Sequence, residues 1–355
     1  MTRAALILAC LASAAAAAEP APPPHAVPRP ATAVVESSLA TGGGQIRQFA
    51  FDGNPDTYFA SDKNATKADH FTLTFDTPAA VKAVRVVTGR PKGGDALTAG
   101  VLEVSADGKA FEELAKFADG KADGTPKAKV KAIRIQPTSD LAHPLVIREI
   151  AVDADPAVAA FRYPVEFVVD VTDAPEMKEW ADKVARVCER QYPMICESLP
   201  SDGFKPLTVI RMTMKSSYNG VAEAGGGRIT GSVKYFKANP NDIGAMVHET
   251  VHCVQLYRGR GNPGWLVEGV ADYLRFFKYE AVKPRPLAPE RAKYDGSYRT
   301  TAAFLAFLTE TYDPQIVRKL NAIMREGKYK EDVWKELTGK PVEELGREWQ
   351  KSLAK

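Results

Sequence analysis

Residues 241–256 read NDIGAMVHETVHCVQL, and the spacing within them decides how the chain must fold. On a helix, His248 and His252 lie about 40° apart around the axis, so both imidazoles can reach one metal ion. Glu249 sits about 60° from His252, at the edge of that face, where a carboxylate can take a proton from a water held at the metal. Ile243, Val247, Val251 and Val254 fall on the side away from the histidines, which turns the histidine face toward a cleft. The plain alternative is two hydrogen-bonded or surface histidines on a helix.

A catalytic zinc takes three protein ligands and keeps one open position. The chain has five histidines. His25 falls in a proline-rich leader, and His70 and His143 fall in a β-rich region, so the third ligand should be a carboxylate. Thirteen residues past His252 begins WLVEGVADY, residues 265–273, which puts Glu268 sixteen residues on. Glu268 and Asp272 are four apart on one helical face, Glu268 placed to ligate and Asp272 placed to orient a ligand histidine. An isolated pair of this kind is usually a solvated acidic face. Its position just after the histidine pair, among apolar residues, reverses that reading. Arg258 stands where a third histidine would extend the motif, so the glutamate-ligand arrangement is expected. The chemistry that follows is peptide-bond hydrolysis, with Glu249 as general base.

The rest of the chain sets bounds. With 355 residues, 45% hydrophobic and 26% charged, it has material for one large or two medium globular domains. Its 47 basic against 44 acidic residues leave no surplus to neutralise a phosphate backbone, so no nucleic-acid partner is expected. No apolar run reaches the roughly 20 residues of a membrane span. Residues 1–18 have a charged start, a short apolar core and a small-residue exit, the pattern of a cleaved secretory signal. An exported location, periplasmic or extracellular, follows. Cys10 would leave with that signal. Of the three remaining cysteines, Cys188 and Cys196 flank ERQYPMI, where Pro193 can break a helix; they are the expected disulfide, with Cys253 a buried thiol.

Residues 19–32 form a proline-rich linker. From 33 to 155, short alternating runs separated by DGN, KGGD and ADGK predict an antiparallel β-sandwich. FTLTF (71–75), VKAVRVVT (81–88), VLEVS (101–105), VKAIRIQ (130–136) and LVIREIAV (145–152) are the clearest strands. From 161 to 355 the pattern is α+β. Strands are predicted at 165–171, 207–214 and 227–236, a helix at 176–191, and nearly continuous helix from Asn241.

Two resemblances sharpen this reading. GVAEAGGGRITGSVKYF (220–236), Asp242, HETVHCVQ (248–255), WLVEGVADYLR (265–275) and YRTTAAFLAFL (298–308) resemble the plant basic secretory protein family of zinc metallopeptidases, which has bacterial members. Membership implies His248, His252 and Glu268 as zinc ligands in a zincin-like fold, with Glu249 as base. Gln255 would then fall near the zinc face and contact substrate, or else be a solvated side chain. Strand 227–233 is the candidate edge for pairing with an extended substrate. Tyr298 or Arg299 could stabilise an oxyanion, although a core or surface use is the stronger expectation for Tyr298.

FDGNPDTYF (51–59), FTLTFDTPAAVKAVRVVTG (71–89), LEVSADGKAFEEL (102–114) and IRIQPTSDLAHPLVIREIAV (133–152) resemble the discoidin, or coagulation-factor type C, module, a galactose-binding-like jelly roll. That resemblance implies a structural calcium ion held by Asp52, Asn54, Thr57 and Glu149. A metal-free turn with Gly53 at positive φ is the competing reading. Tyr58 stands where such modules commonly carry Trp. The partner expected for the whole chain is a protein or peptide substrate, including a glycan-bearing one. The alternative is a non-catalytic exported carbohydrate- or surface-binding protein with a degenerate peptidase domain.

Overall fold

The computed structural model describes residues 31–257, 261–281 and 287–354. The signal segment, the linker through residue 30 and Arg258 therefore lie outside the described residues. Ala31 and Thr32, read as the end of the linker, belong instead to the first folded unit. Ala31 bridges to Val158, and the backbone N–H of Thr32 donates to Asp76 at 3.0 Å.

Eight strands build that unit: β1 (Ala33–Ser37), β2 (Phe59–Asn64), β3 (Phe71–Thr88), β4 (Gly100–Ser105), β5 (Glu112–Lys116), β6 (Lys121–Gly124), β7 (Val130–Pro137) and β8 (Pro144–Asp155). All pair antiparallel. The two runs expected at 71–75 and 81–88 are one 18-residue strand. Its first half pairs with β1 and β7, its second with β8 and β6. The register slips between Thr74 and Ala79, where Asp76-Thr77-Pro78 interrupts the ladder. Rather than ending the strand, this irregularity carries it from one layer to the other. Alternating side chains from both layers, among them Phe59, Phe71, Leu73, Val84, Ile135 and Ile147, fill one core.

The second unit has a four-stranded sheet of β9 (Glu166–Asp170), β10 (Val209–Lys215), β11 (Ala222–Gly225) and β12 (Arg228–Ser232) in the order β11-β12-β10-β9. β9, β10 and β12 run parallel, and β11 is antiparallel. The strand expected over 227–236 stops at Ser232, whose side chain caps the next helix by accepting from the Tyr235 N–H at 3.3 Å. The helices are α1 (Lys178–Ser198), α2 (Val233–Ala238), α3 (Ile243–Gln255), α4 (Gly264–Leu274), α5 (Tyr298–Thr311), α6 (Ile316–Arg325), α7 (Val333–Thr338) and α8 (Val342–Leu353). No described helix is long and apolar enough to cross a membrane.

Pro193 does not break α1. Cys188 and Cys196 therefore sit eight residues apart on one helix, about 12 Å along its axis, too far for a disulfide. Both are free and buried, as is Cys253, and burial pushes each thiol up to about 12. The expected Cys188–Cys196 bridge is therefore corrected to two inert core thiols.

The two units meet through a polar network rooted in the turn Arg47–Phe51. Glu166 on β9 accepts from the Thr41 hydroxyl at 2.6 Å and the Arg47 N–H at 3.1 Å. The Arg47 guanidinium reaches Glu189 on α1 at 3.3 Å, and Arg186 reaches the same carboxylate at 2.7 Å. Gln48 accepts from the Val165 N–H at 2.9 Å. The sandwich thus sits directly on the sheet and on α1, the helix that packs against α3.

Candidate metal centre

Helices α3 and α4 place three side chains, His248, His252 and Glu268, around one point. Val247, Val251 and Val254 are fully buried, as their periodicity predicts. The opposite face is also largely enclosed, with His248 and Glu249 each 7% exposed. It opens on a cleft of about 760 Å³ that Tyr218, Glu223, Glu268 and Tyr298 also line.

The hydrogen bonds fix which ring nitrogens are free. His248 Nδ1 lies 2.6 Å from Asp272 Oδ1. An ionised carboxylate only accepts, so Nδ1 donates and Nε2 keeps its lone pair. Gln255 carries the same logic one step further. Its amide nitrogen donates to the Val267 carbonyl at 3.0 Å, which leaves Gln255 Oε1 to accept from His252 Nδ1 at 2.7 Å. His252 Nε2 is freed as well. Gln255 is 2% exposed, so it is a residue that orients His252, and the reading of it as a substrate contact is corrected. Its place three residues after His252 on the same helix face was the available signal.

The two freed nitrogens are 3.1 Å apart, and Glu268 Oε2 lies 3.1 Å from His248 Nε2 and 3.4 Å from His252 Nε2. Donor atoms about 2.0–2.1 Å from a tetrahedral centre stand about 3.3–3.4 Å from one another. Three lone-pair donors thus converge with the edge lengths of one face of such a tetrahedron. These three residues are the group among those described that could hold a metal ion.

The electrostatics agree that this point wants positive charge. Burial opposes protonation of His248, yet the hydrogen bonds to Asp272 and Glu268 hold it up to about 9. Burial likewise pushes the Glu268 carboxyl up, and the two histidines outweigh it, holding the group down to about 2. Burial raises Glu249 against the pull of His248 and His252.

Neighbouring elements hold the two helices in place. Asp242, just before α3, accepts from the Tyr235 hydroxyl at 2.7 Å and pairs with Arg275 beyond α4. Arg325 on α6 caps the other end of α3, donating to the carbonyls of Val254 at 2.8 Å and Gln255 at 3.1 Å. A third bond runs to the Leu199 carbonyl at 2.8 Å, after α1. No sequence signal marked Arg325, because its partners are backbone atoms from distant segments.

Other expected site residues resolve as follows. The substrate-edge expectation for 227–233 fails, since β12 is paired on both sides and the sheet edge belongs to β11. Arg299 lies over the Phe276 ring at 3.8 Å. Tyr298 enters the cleft and stacks on His248 with centroids 6.1 Å apart. In the sandwich, Asp52 accepts from the Asn54 N–H at 3.0 Å and from the Thr57 hydroxyl at 2.9 Å. Burial, with Asp52 nearby, raises Glu149 to about 7, and its Oε2 atom is buried with no hydrogen-bond partner. Tyr58 is half-buried, accepting from Arg90 at 3.2 Å.

A His-His-Glu cluster on two crossed helices, in an α+β unit behind a β-sandwich, defines a two-unit protein built around a prospective metal site. The chain belongs to the family described as peptidase of plants and bacteria, whose profile matches residues 149–349. Residues 32–150 match the F5/8 type C domain, the discoidin-like module. No curated relative matches the chain.

Among solved structures, similarity runs to a CBM32 module of a family 31 glycoside hydrolase from Clostridium perfringens, at 17% identity, 34% of this chain, 92% of that one and TM-score 0.30. A chitosan-binding module from Paenibacillus sp. IK-5, solved with chitotriose, matches at 19% identity, 34% and 94% coverage and TM-score 0.29. The CBM32 and M60 catalytic domains of ZmpB from C. perfringens match at 12% identity, 34% and 14% coverage and TM-score 0.30. At such scores these likenesses add nothing to the sandwich that the strand pairing itself displays.

Proposed function

We propose that this chain is an exported zinc-dependent peptidase whose front module docks it to a glycan-bearing or other surface target. The observation that carries the reading is the convergence of His248 Nε2, His252 Nε2 and Glu268 Oε2 at 3.1–3.4 Å, each histidine having its other nitrogen committed elsewhere. Two nitrogens and one carboxylate oxygen form a donor set that suits zinc. Such an ion, when bound, supplies Lewis-acid polarisation of the scissile carbonyl and acidifies a water.

The chain's own residues do the rest. Glu249, on the cleft wall one residue from a ligand, takes the proton of the attacking water and delivers it to the leaving amine. Asp272 and Gln255 hold the two imidazoles in tautomer and orientation. Retention of His248, His252, Glu249, Glu268 and Asp272 together disfavours the alternative of a binding protein with a decayed site.

In the sandwich, we assign Asp52, Asn54, Thr57 and Glu149 to a structural calcium ion. Two adjacent acids with a buried, unpartnered carboxylate oxygen fit a hard cation.

The test is the metal content and peptide cleavage of purified wild type beside Glu268→Ala and Glu249→Gln. The expected result is about one zinc per wild-type chain, a sharp loss in Glu268→Ala, and full zinc without turnover in Glu249→Gln. Zinc content unaffected by Glu268→Ala would remove the three-ligand assignment.

A further inference from the structure

Two residues before the active cleft have backbones that side chains rarely adopt. Ser297 has φ 61° and Tyr298 has φ 48°, both positive, where a bulky residue is an outlier. Their surroundings over-determine the shape. The Ser297 carbonyl accepts from the N–H groups of Thr300 and Thr301, and the Thr301 hydroxyl is pinned to the Tyr294 carbonyl at 2.8 Å. Tyr294 in turn packs edge-on to Trp265 of α4, with centroids 5.5 Å apart.

This conformation does not serve burial. Tyr298 is 55% exposed, one of four large hydrophobic side chains left open among the described residues. It leaves the helical core that Phe304, Leu305 and Leu308 of the same helix enter, and it reaches over His248 of the His-His-Glu cluster. Its ring lies nearly parallel to the His248 imidazole, at 26°. Among the described residues its hydroxyl makes no hydrogen bond, whereas two other phenols of the cleft are engaged, Tyr235 donating to Asp242 at 2.7 Å and Tyr257 to Asn321 at 3.1 Å. Strain held by packing, spent on placing a free donor beside reacting groups, is a mark of a functional position.

We infer that Tyr298 is a catalytic residue whose phenol O–H donates to the oxyanion of the substrate during hydrolysis, which rests on the peptidase reading above. Water oxygen bonds to the carbonyl carbon as Glu249 takes one water proton, and the carbonyl π pair moves onto oxygen. That oxygen accepts the Tyr298 hydrogen bond. The pair then returns, the C–N bond breaks, and Glu249 passes its proton to the amine. Tyr298 keeps its own proton throughout. A donor aimed at charge that exists only in the transition state lowers the barrier without tightening substrate binding.

The experiment compares Tyr298→Phe with wild type, both zinc-loaded, on a pool of quenched fluorogenic peptides. An N-phosphoryl dipeptide serves as the tetrahedral anionic probe. The variant keeps the ring and is expected to keep its zinc and its melting temperature. Its kcat should fall about 100-fold or more with KM nearly unchanged, and the phosphoryl probe should bind more weakly by a comparable factor. An unchanged kcat, a loss confined to KM, or undiminished binding of the probe overturns the role for Tyr298 alone. A wild-type chain that holds zinc and cleaves no peptide overturns the peptidase reading, and this role with it.

Discussion

At the scale of single residues, the centre is governed by hydrogen bonds one step behind the three converging side chains. Asp272 and Gln255 are buried beside the two histidines, and they decide which nitrogen of each histidine is available. Replacing Gln255 by leucine leaves His252 free to rotate and to choose its tautomer. Metal affinity should then fall about 10- to 100-fold, read by competition with a chelating dye, with little change in far-UV circular dichroism. Affinity equal to wild type would mean that packing alone positions His252. The residue pattern announced His248, Glu249, His252, Glu268 and Asp272, because helical spacing is written directly in sequence. It was ambiguous for Gln255 and Tyr298. The role of the first depends on the Val267 carbonyl and that of the second on a turn of positive φ, and neither has a local signature.

At the scale of elements, α3 is anchored at both ends from outside itself. Asp242, Tyr235 and Arg275 fix its start, and Arg325 neutralises its last carbonyls. A cation at a helix C-terminus is favoured by the helix dipole, and here it also satisfies carbonyls that the helix cannot. Arg325→Met should lower stability by roughly 3 kcal/mol, since charge-assisted hydrogen bonds are lost and their acceptors are left without partners. Urea unfolding followed by tryptophan fluorescence would show it as a lower midpoint at unchanged slope. A shift under about 0.5 kcal/mol, the range of an ordinary surface substitution, would mean that water replaces the guanidinium. Sequence periodicity found most elements but misjudged several boundaries, two of them in the second unit. Pro193 is carried within α1, and the strand after Gly227 turns helical at Ser232. In both places surrounding contacts outweigh the local propensity on which the expectation rested.

At the scale of the molecule, the sandwich is joined to the peptidase-family unit by a buried charge network. Arg47 stands 15% exposed between Glu166 and Glu189, and Glu189 also meets Arg186. Removing one partner from such a cluster strands buried charge. Arg47→Met should cost about 3–5 kcal/mol. Because α1 carries Glu189 and packs on α3, the loss should appear as lower thermal stability of the peptidase unit itself, seen in calorimetry. If the variant instead melts the sandwich alone, the network is a tether and not a shared foundation.

The sequence by itself determined the two-unit architecture, the helix pair that carries the His-His-Glu cluster and the family, because period-two and period-3.6 patterns and a four-residue histidine spacing are local facts. Only the tertiary structure decided that the cysteines stay unpaired, that β11 and not β12 forms the sheet edge, and that Gln255, Arg325 and Arg47 matter. Each of these depends on atoms brought together from separate parts of the chain, and no local pattern encodes a distance between segments that meet only on folding.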